Sequence, residues 1–198
     1  MFMDYFKDKK KVLAFIAALI ILTVTIPVAY AIGQNPPVGT ILGAFASFIV
    51  ALIVCVIFKV PNQMYYLTIA FVFFASPVGS ILNFYRTFGP YDKIVHFFSG
   101  VLIAAFGYMI IWKMINRNKI DEKEQNKFLG ISVLFAMLAA GAGAGLWEIM
   151  EFTMDILASG TMQRGMVDTI TDMIAGDLGG ICYGLTMLYI GKKSLKKN

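Results

Sequence analysis

The chain has 198 residues, of which 59% are hydrophobic and only 15% charged, with a mean hydropathy of +0.74. A soluble domain of this length carries more charge on its surface, so the composition excludes an ordinary water-soluble fold and points to a lipid-embedded one. The net charge of +5 does not indicate nucleic-acid binding, because the basic residues collect at the ends of apolar runs.

Six apolar runs follow one another, at about 12–32, 38–58, 63–84, 94–115, 128–157 and 167–190, each long enough to cross a bilayer core as a helix. The expected fold is therefore all-α, a polytopic bundle of six transmembrane helices in a single membrane domain over 1–198. Residues 1–90 form an apolar scaffold, and 91–198 carry the motifs. The first run is preceded by Lys7, Lys9, Lys10 and Lys11 and ends near Ala29-Tyr30-Ala31. That order also matches a signal peptide with its cleavage site, although the apolar stretch is long for one. Removing it would leave the topology of the other spans unchanged. Gln34-Asn35-Pro36-Pro37 predicts a tight turn, and Pro27 and Pro77 predict kinks.

Of the 17 Lys and Arg residues, 14 fall on one side of a six-span path: the N-terminal group, Lys59, the Lys113–Lys127 connection and the C-terminal group. Only Arg86, Lys93 and Arg164 fall on the other. This positive-inside bias predicts a multi-pass protein of the cell (inner or plasma) membrane with both termini cytoplasmic, its basic ends against anionic lipid. Cys55 and Cys182 fall within spans near their cytoplasmic ends, where buried, inert thiols are expected.

The second half differs in kind. Asp92 and His96 open the fourth span, Glu148, Glu151 and Asp155 lie near the end of the fifth, and Asp168, Asp172 and Asp177 near the start of the sixth. All map to the outward-facing side. Glu148, Glu151 and Asp155 share one helix face at i, i+3 and i+7. Asp168, Asp172, Gly176, Gly180 and Gly184 run at i+4 intervals, as do Asp92, His96, Gly100 and Ala104. Gly141, Ala144 and Gly145 precede Glu148 on its face. Small residues at such spacing let membrane helices approach closely. Three helices should therefore meet in a tight seam whose outer end is a polar pocket. Asp177 falls off the stripe.

Carboxylates in a bilayer cost several kcal/mol each unless compensated. Seven acids face Arg86, Lys93, Arg164 and a protonated His96, leaving three unmatched. A divalent cation, bound protons or water would each answer. Asp92, His96, Asp155, Asp168 and Asp172 are the candidate metal ligands, for Mg²⁺, Ca²⁺, Mn²⁺ or, with the histidine, Zn²⁺. Glu148 and Glu151 are the candidate general bases should the site be catalytic, and Arg86 and Arg164 the candidate anion contacts. Against this stands a structural reading, in which Arg164–Asp168 and Asp92–His96, each four residues apart, only lock helix ends together.

Enzyme templates fit poorly. There is no second histidine for a phosphatidic-acid-phosphatase-like site and no G-x-S-x-G elbow. Tyr91-Asp92 and Ala175-Gly176-Asp177 match intramembrane aspartyl proteases only in their aspartates.

Three stretches carry a family resemblance: Tyr91-Asp92-Lys93-Ile94-Val95-His96-Phe97-Phe98-Ser99-Gly100, Trp147-Glu148-Ile149-Met150-Glu151-Phe152, and Asp168-Thr169 through Asp172-Met173-Ile174-Ala175-Gly176 to Gly179-Gly180. In this order they resemble the YjdF-like bacterial inner-membrane proteins and, more distantly, the VanZ-like membrane proteins. Arg164 matches an Arg that VanZ-like proteins place ahead of the last acidic motif, whereas Asp172 stands where they usually carry Asn. The resemblance implies a cell-envelope membrane protein and stops short of an activity.

Three functions are open on this evidence. The leading one is an outer pocket that binds a polar lipid head group or a lipid-linked envelope precursor, with or without a divalent cation. A proton- or cation-coupled transporter is the second, although the dissimilar halves count against it. A structural or regulatory membrane partner is the third. Oligomeric state is left open.

Overall fold

The computed structural model describes residues 8–114, 122–158 and 162–195, without the side chains of Glu122, Lys123, Ser194 and Leu195. Lys7, Arg117, Lys119, Lys196 and Lys197 of the charge argument lie outside the described residues. The order is α1 (Lys9–Ala31), α2 (Val38–Ile57), α3 (Asn62–Phe73) running into a π-helical segment (Phe74–Ile81), the short α4 (Phe84–Thr87), α5 (Tyr91–Met114), α6 (Glu122–Ala158) and α7 (Met166–Leu195). Among the described residues there is no strand, and six helices are long and apolar enough to cross a membrane. Their bounds, such as Lys9–Ala31 and Val38–Ile57, lie within a few residues of the apolar runs. Leucines, isoleucines and phenylalanines are exposed along them, for example Leu42, Leu146 and Leu185. In water that surface would be prohibitive; in lipid it is the expected exterior.

Chain contacts divide the molecule into two units, residues 1–95 and 96–198. In the first unit, two helix ends are closed in the same way. After α1 the N–H of Gly33 reaches the carbonyl of Tyr30 and that of Gln34 the carbonyl of Ala29, with Gly33 at φ +81°. After α2 the N–H of Lys59 reaches Val56 and that of Val60 reaches Cys55, with Lys59 at φ +47°. Both are Schellman closures, which satisfy the last carbonyls of a helix through a left-handed residue.

Pro77 widens its helix rather than breaking it. The ring removes one donor and crowds the preceding turn, and the chain answers with a π segment in which Leu82 N–H bonds the Pro77 carbonyl at 2.9 Å. Gly79 in that segment lies against the Tyr85 ring, in the space a Cβ would take. The core of this unit is Leu22, Phe48, Cys55, Tyr65 and Ile81, and the Tyr65 hydroxyl donates to the Lys11 carbonyl at 2.9 Å. Three threonine hydroxyls serve their own helices: Thr23, Thr25 and Thr68 each donate to the carbonyl four residues back.

The second unit is the predicted seam. Gly176 of α7 meets the Gly100 position of α5 backbone to backbone, and a Cβ at Gly176 would stand 2.9 Å from the Ala144 methyl of α6. Further along, Gly179 lies on the Phe97 carbonyl, Gly180 on Ala140, and Gly184 on Met137 and Val133. Ala104, Ala136 and Ala140 form a fully buried core flanked by Tyr108 and Tyr183. Without a hydrophobic drive inside lipid, helices associate through such close van der Waals contact. At 37 residues α6 is about 55 Å long, well beyond the ~30 Å hydrocarbon core, so its polar start at Glu122–Lys127 extends past the membrane.

One expectation needs correction. Cys55 is buried, but Cys182 is exposed. It lies off the Gly176–Gly180–Gly184 stripe and so faces away from the seam.

Candidate functional site

The seam's small residues set the positions of the acids. His96 is one turn before Gly100, Asp172 one turn before Gly176, and Glu148 one turn after Ala144 on a helix of opposite direction. Since Gly100, Gly176 and Ala144 pack together, the next layer towards the acidic end holds His96, Asp172 and Glu148. All three are buried, at 6%, 2% and 5% exposure.

Asp92 stands in the first turn of α5, within the first unit. The division into two units falls within this continuous helix, just before His96. Asp92 is itself 6% exposed. His96 Nε2 lies 3.8 Å from Asp172 Oδ1, and Lys93 Nζ lies 3.6 Å from Asp92 Oδ2. The Ser99 hydroxyl donates to the His96 carbonyl at 2.7 Å.

Glu148 completes the layer from α6. It is within electrostatic reach of His96, Asp172 and Asp168, and Thr169 hydrogen-bonds its carboxyl group. Its Oε1 is fully buried without a hydrogen-bond partner. A buried acceptor in that state is costly by about 1–3 kcal/mol. Thr169 had no assigned role in the sequence. Its signal was its position three residues before Asp172, on the same helix face. Gln163 Nε2 in turn donates to Thr169 Oγ1 at 3.1 Å.

The remaining candidates take other positions. Glu151 is half-buried and accepts from Trp147 Nε1 at 2.8 Å. Asp155 turns to the connection ahead of α7: its two oxygens accept the backbone N–H groups of Met162 and Gln163, both at 2.9 Å. Asp168 pairs with Arg164, Nε to Oδ2 at 3.1 Å, as the four-residue spacing suggested. Arg86 is exposed on α4, in the first unit. Asp177 is exposed on α7 and sets its Oδ1 against Gly141, 2.7 Å from where a Cβ would be.

The donor set is chemically specific. Two carboxylates and one imidazole, carried by three helices of the second unit, suit a hard or borderline divalent cation; Mn²⁺ or Zn²⁺ matches a mixed oxygen and nitrogen set better than Ca²⁺, which takes six to eight oxygens.

The family model for the predicted membrane proteins designated DUF2238 matches residues 10–193. A protein of Thermotoga maritima, described as uncharacterized, is 32% identical over 176 residues, covering 85% of each chain. No solved structure matches. With nearly its whole length matched, this chain belongs to the DUF2238 family of predicted membrane proteins.

Proposed function

We propose that this integral membrane protein binds a polar lipid head group, or the head group of a lipid-linked envelope precursor, at the acidic end of the α5–α6–α7 seam. The observation that carries this reading is the buried polar layer of His96, Glu148 and Asp172 within helices otherwise clad in apolar side chains. Ionisable groups inside a membrane are expensive and mark sites of binding or transfer. Around that layer stand Arg164, 40% exposed and able to face an anion, and Trp147, 49% exposed, a residue type that settles at the head-group level. The charge distribution directs this end of the bundle outward, towards envelope lipids, with both termini in the cytoplasm.

The test is native mass spectrometry of the full chain extracted in mild detergent. A retained phospholipid or polyprenyl phosphate is expected with the wild-type protein, and several-fold less with Arg164→Gln. Equal retention by both, or no lipid on either, would rule the reading out.

A further inference from the structure

The geometry points to a divalent-cation site formed by His96, Asp172 and Glu148 of the second unit, with Mn²⁺ or Zn²⁺ as the ion; this deepens the head-group reading and rests on it for what the ion would present to its ligand. Two observations carry it independently. The first is that His96 of α5 and Asp172 of α7, both buried, bring a ring nitrogen and a carboxylate oxygen close together within the second unit. The separation of His96 Nε2 and Asp172 Oδ1, 3.8 Å, is too long for a hydrogen bond. It is a few tenths of an ångström from the roughly 3.4 Å that separates two donors sharing one tetrahedral ion at about 2.1 Å each.

The second is Glu148. Its side chain comes from a different helix, is 95% buried by its 5% exposure, and leaves Oε1 without a hydrogen bond. The contact of Ala144 with Gly176, one turn below, holds that carboxylate in the layer of His96 and Asp172. A cation bound there would give Oε1 its missing partner and offset the charge of two carboxylates in a low-dielectric setting.

The site would tie α5, α6 and α7 together at the end where their small-residue contacts stop. With three protein donor residues, an ion that accepts four to six ligands keeps positions open. Those would meet the phosphate of a head group. Asp155, Asp168 and Glu151 remain outside the set, each engaged as described.

The experiment uses the full chain in detergent, stripped of lipid and of metal with EDTA and then titrated with Mn²⁺ followed by electron paramagnetic resonance. One equivalent should bind, with nitrogen coupling from a single imidazole. Glu148→Gln should weaken binding at least ten-fold, and Asp155→Asn should leave it unchanged. Wild-type protein that binds less than a tenth of an equivalent of both Mn²⁺ and Zn²⁺, or bound Mn²⁺ without nitrogen coupling, would overturn the inference even if no variant folds. So would full-strength binding by Glu148→Gln. Lipid retention by metal-free protein is read separately, so the cation site can fail while the head-group reading stands.

Discussion

Gly100 of α5 and Gly176 of α7 meet so closely that any side chain on Gly100 would occupy the place of the Gly176 carbonyl. This single approach fixes the spacing of two helices one turn below His96 and Asp172. A larger residue there must push the helices apart, and the acidic layer with them. Gly100→Val should therefore destabilise the protein by about 1–3 kcal/mol or more, the range for overpacking a tight contact. Gly43→Ala, at a helical glycine with nothing within 4 Å, should cost nothing and serves as the control. Thermal unfolding in detergent, followed by circular dichroism, separates the two.

Asp155 tests whether the acids divide by role. Its carboxylate receives two backbone N–H groups from Met162 and Gln163, so Asp155→Ala should destabilise the entry to α7 by roughly 1–3 kcal/mol. Amide exchange should accelerate at Met162 and Gln163 while metal content stays as in the wild type. Loss of bound metal in this variant would place Asp155 in the site instead.

Gly33 makes a purely conformational prediction. It sits at φ +81° with open space around it, so an added methyl group clashes with nothing beyond its own backbone. Gly33→Ala should cost about 1–2 kcal/mol, the strain of a left-handed alanine, and lower the unfolding temperature without changing metal or lipid binding.

The distribution of Lys and Arg predicts cytoplasmic termini. A C-terminal fluorescent protein should mature and glow, and alkaline phosphatase fused at the same point should be inactive. Fusions within the 82–90 stretch should give the opposite pair. Reversal of this pattern would turn the acidic end of the seam towards the cytoplasm.

The spans were legible because length and apolarity are one-dimensional properties: a run of about 20 such residues is nearly enough to predict a crossing helix. The seam was legible for a related reason. Asp172, Gly176, Gly180 and Gly184 recur at i+4, and helix periodicity alone puts them on one face. Arg164–Asp168 also followed from spacing within one helix. The fate of Asp155 was hidden, because it depends on how the chain returns at residues 162–163, which periodicity does not encode. Pro77 signalled a disturbance but not its form, since a kink and a π segment both relieve the same clash. Cys182 was misjudged because depth along a span was read and its orientation around the helix was not.

The most direct measurement is an anomalous difference map from crystals of the full chain grown with Mn²⁺ or Zn²⁺, collected at the absorption edge of the ion. A peak about 2.0–2.2 Å from His96 Nε2, and at similar distance from carboxylate oxygens of Asp172 and Glu148, is the predicted result. No peak between His96 and Asp172 at saturating metal, or a peak held by other residues, would contradict it.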